Sequence, residues 1–214
     1  MVFAIDAASH EAVRAVHSGP MGAAAEHPTM TATEYLAWER DQPTRHAFHL
    51  GEVFARTGGS PRHNFLCTAV GAELRAALRG VGCTVLSSDQ RIAAVSGERY
   101  VYADAVAVCG AFVADALGGD VLANPTLVVE VLSARTEAYD RGEKWAAYQR
   151  IASVRDYLLV SQRSPRVEHF ARQPDGTWRY AQSGPGGVIT LRNGATVQVD
   201  AIFDGAFALP ADEG

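Results

Sequence analysis

The segment from Leu127 to Leu132 constrains the fold of this chain most, because it is a short apolar run with one acid inside it. Its valines and leucines, bounded by Asn124-Pro125 and by Ser133, are typical of a strand that is buried on both faces. Glu130 interrupts this run. An ionised carboxylate in such a place is costly unless it is paired or binds a metal ion. Glu130 therefore indicates a functional site, with a buried structural ion pair as the alternative.

A second acid has the same setting. Asp104 lies in the segment from Tyr100 to Cys109, which alternates at first, is apolar afterwards and predicts one strand. The two acids stand 26 positions apart in two β-rich runs. Paired carboxylates of this kind are typical ligands of a divalent cation, so Asp104 and Glu130 are predicted to converge on one metal ion.

The segment that follows Leu132 has helical periodicity, and Thr136 is its predicted N-cap. Asp140, Lys144 and Tyr148 follow at intervals of four residues, so they lie along roughly one side of the helix. Lys144 is the single lysine among 19 basic residues. Arginine serves wherever only positive charge is needed, so Lys144 indicates a site that requires a compact ammonium group. The alternative is a solvated salt bridge between Lys144 and Asp140.

The rest of the chain predicts an α/β protein with a β-rich C-terminal part. Thr31 and Glu34 have the spacing of a capping box before a short amphipathic helix. Other predicted elements are two strands within 46–55 with a turn at Gly51, a helix at 62–78, two strands within 81–95 and a strand at 156–160. An antiparallel meander is predicted from strands at 166–172, 178–182, 188–191 and 196–199, with Asn193-Gly194 as the strongest hairpin signal.

The composition is ordinary for a globular protein, with 214 residues of which 48% are hydrophobic and 20% charged. We predict a poorly ordered tail at residues 1–29 and a single domain at residues 30–214. The net charge of −5 excludes binding of nucleic acid by bulk positive charge, so a polyanion must contact a local basic patch. No apolar run approaches the roughly 20 residues that span a bilayer, which predicts a cytoplasmic protein with no membrane partner.

The three cysteines, Cys67, Cys83 and Cys109, are an odd number without CxxC spacing. This pattern argues against a disulfide framework and against a zinc knuckle. All three are therefore predicted to be buried apolar side chains.

Four sequence blocks also carry a resemblance to a known family. In chain order they are GGSPRHN, YVYADAVAVCG, NPTLVVEVLS and AYDRGEKWAAY, and they resemble the Uma-two family of bacterial endonuclease-like proteins in the PD-(D/E)XK nuclease superfamily. The similarity covers roughly residues 30–203. It implies a restriction endonuclease-like core, with a mixed β-sheet flanked by helices. It also implies hydrolysis of nucleic acid, most of all DNA, with Mg²⁺ as cofactor and Mn²⁺ as a substitute.

The resemblance also suggests roles for individual residues. Asp104 and Glu130 match the two motif acids, and Lys144 takes the place of the lysine that usually stands where this chain has Leu132. We expect Mg²⁺ to bind Asp104, Glu130 and the backbone carbonyl of Val131, with Lys144 as the third catalytic residue. Candidate phosphate-binding or accessory residues are His63, Arg56, Arg62, Arg135, Asp140, Arg141 and Tyr148. For His63 the alternative is a hydrogen-bonded structural histidine.

Two departures from the family pattern affect the expected function. Relatives commonly have proline where this chain has Ala103, and a glutamate in the first hairpin where it has Ala47. His49, on the same strand face as Ala47, is the candidate substitute ligand. Two alternative functions stay open: a catalytically degenerate binding or scaffold protein, and a metal-dependent hydrolase of another substrate. A homodimer is expected, because two sites related by a twofold axis can cut both strands of a duplex.

Overall fold

The structure is a computed structural model that describes residues 29–56 and 58–211. The tail predicted at residues 1–29 lies, apart from Thr29, outside the described residues. A single domain over residues 30–214 stays a prediction. Within the described residues the chain has mixed sheets flanked by helices, as the sequence predicted.

The elements follow one another along the chain from a short helix to a C-terminal helical segment. In order they are α1 (Ala32–Arg40), β1 (His46–His49), β2 (Glu52–Ala55), α2 (Pro61–Ala77), β3 (Cys83–Ser87), β4 (Arg91–Val95), β5 (Arg99–Tyr102), β6 (Ala105–Cys109), β7 (Ala114–Asp115), β8 (Gly118–Leu122), β9 (Leu127–Leu132), α3 (Glu137–Tyr139), a π-helical turn (Asp140–Lys144), α4 (Trp145–Arg150), β10 (Asp156–Ser161), β11 (Val167–Arg172), β12 (Trp178–Ser183), β13 (Val188–Thr190), β14 (Thr196–Gln198), α5 (Val199–Phe203) and a 3-10 turn (Ala206–Ala208).

The described strands form two six-stranded sheets and one small hairpin. The first sheet has the order β2-β1-β5-β4-β8-β7, and the second has the order β12-β11-β10-β9-β6-β3. Parallel pairing joins β9 to β10 and β4 to β8, whereas the other neighbours are antiparallel. Strands β13 and β14 form the separate hairpin.

Several local predictions are confirmed. The capping box is present, since the Thr31 hydroxyl accepts a hydrogen bond from the Glu34 amide and the Thr31 amide donates to the Glu34 carboxylate. Strands β1 and β2 pair as a hairpin around Gly51, whose positive φ of 96° suits glycine. Asn193-Gly194 forms the turn between β13 and β14, with Gly194 also at positive φ.

The prediction of one strand from Tyr100 to Cys109 was wrong. The segment forms β5 in the first sheet and β6 in the second, and the chain passes between the sheets at Ala103-Asp104. Tyr100 to Val108 is buried throughout, so the apolar pattern does not register the change of sheet. Asp104 thus lies at a junction between the two sheets.

Helices cover both faces of the second sheet. Leu127, Val129 and Val131 of β9 pack in the same cluster as the apolar side of α2. Val128 and Leu132 point the other way and pack in the cluster that includes α4. Because side chains alternate along a strand, Glu130 belongs to the α4 face. The third cluster joins α1 to the first sheet.

The helix predicted after Thr136 differs from expectation in two ways. Thr136 does not cap it, because its φ and ψ of −110° and −13° lie outside the extended region and its side chain makes no capping bond. The Ser133 hydroxyl accepts a hydrogen bond from the Thr136 amide instead. The helix is also interrupted by the π-helical turn at Asp140–Lys144, a feature that often occurs at functional sites.

The four C-terminal strands exist, but they do not form one meander. Strands β11 and β12 extend the second sheet, whereas β13 and β14 form their own hairpin, so the chain at Gly184–Gly187 connects two sheets.

The cysteine prediction was wrong as well. Cys83 and Cys109 face each other in the register of β3 and β6 and form a disulfide bond, and neither is fully buried. Cys67 is the remaining free cysteine and is half-buried. The two sulfurs meet because Cys83 and Cys109 are partners in the register of β3 and β6. Neither the odd number of cysteines nor the missing CxxC spacing contains information about that register.

Candidate active site

A cavity of about 300 Å³ lies at the junction between the sheets. Three carboxylates and one lysine line it: Asp104, Glu130, Asp140 and Lys144. Its other charged or polar lining residues include Arg56, His63, Ser133, Arg135 and Thr136. The structure therefore brings together the three residues predicted to be catalytic, although their roles stay predictions.

Three groups contact the buried carboxylate of Asp104. Its Oδ2 accepts a hydrogen bond of 2.7 Å from the Val131 amide and lies 3.4 Å from His63 Nε2. Its Oδ1 lies 3.4 Å from Arg56 Nη2. Burial by itself would raise the pKa of Asp104, but His63, Lys144 and Arg56 outweigh it and hold that pKa below its usual value. Asp104 is therefore ionised at neutral pH.

Glu130 is almost completely buried, with 1% of its surface exposed. Its Oε2 lies 2.9 Å from Lys144 Nζ, and its Oε1 accepts a hydrogen bond of 2.9 Å from the Tyr148 hydroxyl. Burial raises the pKa of Glu130 to about 8, and Asp140 and Asp104 add to this against the opposing charge of Lys144. A cation at this carboxylate would relieve the same repulsion.

Lys144 is largely enclosed as well, since only 12% of its side chain is exposed. Its Nζ lies 3.1 Å from Asp140 Oδ1 as well as 2.9 Å from Glu130 Oε2. Burial opposes the charge of Lys144, but Asp140 and Glu130 outweigh it and raise its pKa above the ordinary value. The alternative of a solvated salt bridge was therefore wrong. The buried ion pair that was the alternative for Glu130 is present, and it includes the predicted catalytic lysine.

Two side chains, one from each sheet, donate hydrogen bonds to the backbone of the π-helical turn that contains Lys144. The Tyr157 hydroxyl donates a hydrogen bond of 2.9 Å to the backbone carbonyl of Asp140. On the other side, Arg99 Nη1 donates to the backbone carbonyl of Glu143 at 3.1 Å. Tyr157 belongs to the second sheet and Arg99 to the first, so both sheets position the lysine.

Two of the predicted phosphate-binding arginines line the cavity. Arg56 donates to the Ser88 carbonyl at 3.0 Å and keeps 30% of its side chain exposed. Arg135 is exposed at the cavity wall and has no ion-pair partner among the residues that the structure describes. Both guanidinium groups are therefore accessible to an anion.

Other predicted site residues lie elsewhere. Arg62 donates to the Leu209 carbonyl at 2.8 and 3.0 Å, and it does not line this cavity. Arg141 makes a two-pronged contact of 2.7 and 2.8 Å with Glu168 and does not line it either. Arg62 lines a neighbouring cavity instead, and the phosphate-binding roles of both arginines stay predictions.

His49, the predicted substitute ligand, does not line the cavity. Its ring lies 2.8 to 3.0 Å from Arg99 Nη2, whereas Ala47 itself lines the cavity. Two residues along a strand share a face, but β1 carries them roughly 6 Å or more apart along its length. The role of His49 as a substitute ligand stays a prediction.

Sequence reasoning missed Cys67. Its Sγ lies 3.4 Å from His63 Nδ1, and ligand atoms of His63, Cys67 and Asp104 all lie within 4.8 Å of one another, as in a metal site. Burial and the charges of Asp104 and Glu130 raise the pKa of the Cys67 thiol. The signal was available, because His63 and Cys67 stand four residues apart in a segment predicted to be helical.

This geometry agrees with comparisons to known proteins. The model of a family described as "Uma2: Putative restriction endonuclease" matches residues 32–211. The chain belongs to the Uma2 family. Two uncharacterized proteins of Synechocystis are similar to it, one 32% identical over 85% of this chain and 95% of its own length. The other is 29% identical over 70% of this chain and 84% of its own length.

A solved structure has the same fold as this Uma2 chain. It is described as "a putative nuclease belonging to DUF820" from Anabaena variabilis, and it covers 83% of this chain and 99% of its own. The TM-score is 0.66 at 10% sequence identity. The predicted nuclease-like fold is thereby confirmed. No helix in the described part of this Uma2 chain is long and apolar enough to cross a membrane.

Proposed function

We propose that this protein is a magnesium-dependent endonuclease that hydrolyses phosphodiester bonds of nucleic acid, DNA above all. The observation that carries the proposal is the convergence of Asp104, Glu130 and Lys144 in one cavity. Membership of a family described as "Putative restriction endonuclease" supports the same reaction.

The donor atoms in the cavity fit a magnesium ion. Mg²⁺ prefers oxygen ligands, and Asp104 and Glu130 supply two carboxylates, with the Val131 carbonyl as the proposed third ligand. The buried acids Asp104, Glu130 and Asp140 repel one another, and this repulsion contributes to the raised pKa of Glu130. A bound cation would offset the repulsion. A bound Mg²⁺, or Mn²⁺ in its place, would activate a water molecule and stabilise charge on the attacked phosphate.

The protein's own residues then prepare the site. Tyr148 fixes Glu130 through its hydroxyl, so the carboxylate cannot turn away from the cavity. Asp140 and Glu130 keep Lys144 protonated, so its ammonium can orient the attacking water or neutralise charge that develops on the phosphate. Asp140 is in this account a positioning residue for Lys144.

The wall of the cavity offers a path for a phosphate backbone. Arg135 and Arg56 face it, and Ser133 also lines a neighbouring cavity of about 120 Å³ that includes Arg163 and Arg166. Arg163 is exposed. With a net charge of −5 for the chain, such a local patch is what nucleic acid would need. Phosphate contacts of this kind position a duplex without reading its sequence.

A second candidate function is favoured by one observation. Ala47 lines the cavity at the position where relatives commonly carry glutamate, so the site lacks one carboxylate. A nuclease-fold protein with such a site can bind nucleic acid or act as a scaffold without turnover.

A metal-dependent hydrolase of another substrate would use the same acids, and the net negative charge of the chain favours this third candidate mildly.

The deciding experiment is incubation of the purified protein with plasmid, single-stranded DNA and RNA, in Mg²⁺, in Mn²⁺ and in chelator. We expect cleavage that requires the metal and that Glu130→Gln abolishes. Glu98→Gln, which removes an exposed acid outside both cavities, is the matched control and should cleave like the wild type. Calorimetric titration with Mn²⁺ should show binding in the control and a large loss in Glu130→Gln.

The second candidate makes a different prediction for one variant. If the missing carboxylate prevents turnover, the wild type binds nucleic acid without cutting it, and Ala47→Glu introduces metal-dependent cleavage. If the wild type is an active nuclease, Ala47→Glu changes the metal dependence of an activity that already exists. Absence of both cleavage and nucleic-acid binding in the wild type would refute both candidates.

Two further properties belong to the same proposal. A homodimer would place two sites on a duplex, and sedimentation analysis of the free and DNA-bound protein tests it. A cytoplasmic location would give the enzyme access to DNA, and cell fractionation tests that.

A further inference from the structure

His63 and Cys67 present two metal-binding atoms on one face of α2. They stand four residues apart, which is about one helical turn. His63 Nε2 lies 4.0 Å from Cys67 Sγ and 3.4 Å from Asp104 Oδ2. The third side chain, Asp104, comes from the junction between the sheets, so helix α2 and this junction together supply the three atoms.

The separation between His63 Nε2 and Asp104 Oδ2 agrees with an edge of a zinc coordination tetrahedron, whereas the separation between Nε2 and Cys67 Sγ is about 0.4 Å longer than such an edge. With Zn–S near 2.3 Å and Zn–N or Zn–O near 2.05 Å, tetrahedral angles give S···N of about 3.6 Å and N···O of about 3.3 Å. The observed distances are 4.0 and 3.4 Å. Cys67 Sγ lies nearer to His63 Nδ1, at 3.4 Å, so the Cys67 side chain must rotate before the sulfur and Nε2 can bind the same cation. His63 and Asp104 also line the cavity, from which a fourth ligand can reach that cation.

The histidine ring is held in this place by its surroundings. A Cβ added at Gly59 would lie 2.5 Å from His63 Nδ1, so the ring occupies this place because position 59 is glycine, and any other residue there would displace it. Ser60 caps α2 by accepting a hydrogen bond from the His63 amide, and its hydroxyl donates to Gln162. The first turn of α2 is thus fixed before any ligand arrives, which lowers the cost of binding.

We propose that His63, Cys67 and Asp104 form a site for Zn²⁺ or a similar borderline-soft divalent cation, distinct from the magnesium site but sharing Asp104 with it. A set of one nitrogen, one sulfur and one oxygen suits zinc, whereas magnesium selects oxygen ligands. Binding requires the Cys67 thiol to release its proton to solvent and to coordinate as thiolate. Burial of the thiol opposes this step, and coordination to the cation supplies the compensation.

Sharing Asp104 has a functional consequence that rests on the proposed nuclease reaction. A carboxylate engaged by zinc cannot serve magnesium in the same way, so zinc is an inhibitor of the magnesium-dependent cleavage. The zinc site itself does not depend on the protein being a nuclease.

Cobalt(II) is the probe for the site, because a thiolate ligand gives it a charge-transfer absorption and tetrahedral geometry strengthens its visible bands. Cys83 and Cys109 are joined in a disulfide, so Cys67 is the free thiol that can give this signal. We expect one equivalent of thiolate-bound cobalt in the wild type and in Glu130→Gln. Zinc should displace it, and excess Mg²⁺ should leave the thiolate band in place.

Cys67→Ala and Cys67→Ser should lack the thiolate band and bind zinc at least about 100-fold more weakly, since even residues that only orient a ligand cost about 10- to 100-fold. Circular dichroism verifies that both variants fold. A wild type without the band, or a band that persists in both Cys67 variants, would overturn the site.

Inhibition is tested separately from binding. The zinc concentration that halves magnesium-dependent cleavage should rise by a similar factor in Cys67→Ala. If cobalt binds through Cys67 but zinc leaves cleavage unchanged, Asp104 is not shared and that part of the proposal is wrong. If the wild type has no cleavage, the nuclease proposal fails while the cobalt spectrum still decides the metal site.

Discussion

Replacing Lys144 with methionine removes a buried charge while nearly preserving the length of the side chain. In the wild type the ammonium lies 2.9 Å from Glu130 and 3.1 Å from Asp140. Both acids are at most 2% exposed, so water cannot take over the role of the lysine. Lys144→Met should therefore destabilise the protein much more than the loss of a surface ion pair would.

The size of the effect follows from these distances. At an effective dielectric constant of about 20, each contact is worth about 5 to 6 kcal/mol before desolvation is subtracted. Burying the ammonium costs several kcal/mol, and breaking buried pairs elsewhere destabilises proteins by about 3 to 5 kcal/mol. We expect a loss of that size in the free energy of unfolding. For a chain of this length it corresponds to a fall in Tm of roughly 6 to 20 °C.

The loss should depend on pH through Glu130. Its pKa is about 8 in the folded protein, against 4.5 for an ordinary glutamate, so the folded protein holds a proton that the unfolded chain releases between these values. The stability of the metal-free wild type therefore falls as pH rises from about 4.5 to about 8, by at most about 1.4 kcal/mol per pH unit from this group. Lys144 stays charged throughout, because its own pKa is raised above 10.5.

A double-mutant cycle isolates the contact between Lys144 and Glu130. Glutamine at position 130 needs no counter-charge, so Lys144→Met should cost less in the Glu130→Gln background, by about 1 to 3 kcal/mol. Glu130→Gln should also remove the decline in stability between about pH 4.5 and 8. Urea unfolding of the metal-free variants at about pH 5 and about pH 8.5 provides both measurements.

A matched control comes from the same helical segment. Glu137 and Arg141 also form a pair at i and i+4, but both side chains are about one-third exposed. Glu137→Gln should cost under about 1 kcal/mol. The reasoning would be refuted if Lys144→Met were as mild as this control at about pH 8.5, or if its cost were the same in the wild type and in the Glu130→Gln background.

Three further outcomes follow from the site. Lys144→Arg should lower any cleavage by roughly two orders of magnitude, because the planar guanidinium cannot replace a compact ammonium; wild-type rates would exclude a catalytic lysine. Tyr148→Phe leaves Glu130 Oε1 without its buried donor and should cost about 1 to 3 kcal/mol in urea unfolding; an unchanged midpoint would contradict the contact. Arg135→Ala and Arg163→Ala should each weaken DNA binding and lower its salt dependence by about one phosphate contact, which titration at several salt concentrations measures.

The sequence predicted the residues of the site better than their arrangement. Glu130 stood out as an acid in a buried strand, and Lys144 as the single lysine, since composition and hydrophobic pattern register both features. Neither feature shows which side chains contact each other in the folded protein. The contact between Lys144 and Glu130 depends on the π-helical turn, and helical periodicity cannot reveal a turn that contains one extra residue.

Arginine roles could not be predicted from proximity in the sequence. Arg62 stands beside His63, yet it turns toward the Leu209 carbonyl, which comes from the far end of the chain. Arg141 lies one turn from Glu137 and also pairs with Glu168 of β11. Leu209 and Glu168 are both distant in sequence from these arginines, so only tertiary structure decides which arginines stay accessible to a ligand.

A buried acid by itself does not mark a site either. Glu39 of α1 has no exposed surface, and it accepts hydrogen bonds from the His46 amide and from the Tyr102 hydroxyl. His46 Nδ1 lies 2.9 Å from its other oxygen. Glu39 is thus satisfied within the first sheet and its helix, whereas Glu130 and Asp104 share an open cavity with a lysine. The acids differ in their surroundings in the folded protein: hydrogen-bond partners enclose Glu39, whereas Glu130 and Asp104 line a cavity that a ligand can enter.

The position of Asp104 shows why the fold and the chemistry use the same residue. The pairing between β6 and β9 ends at Ala105 and Val129, because the chain leaves for the other sheet at this point. The amide of Val131 would then have no strand partner on that side, and the carboxylate of Asp104 accepts its hydrogen bond instead. The side chain thus continues the strand pairing where the backbone stops. One oxygen of Asp104 is fixed by the sheet, and the carboxylate is thereby aimed into the cavity that opens where the two sheets part.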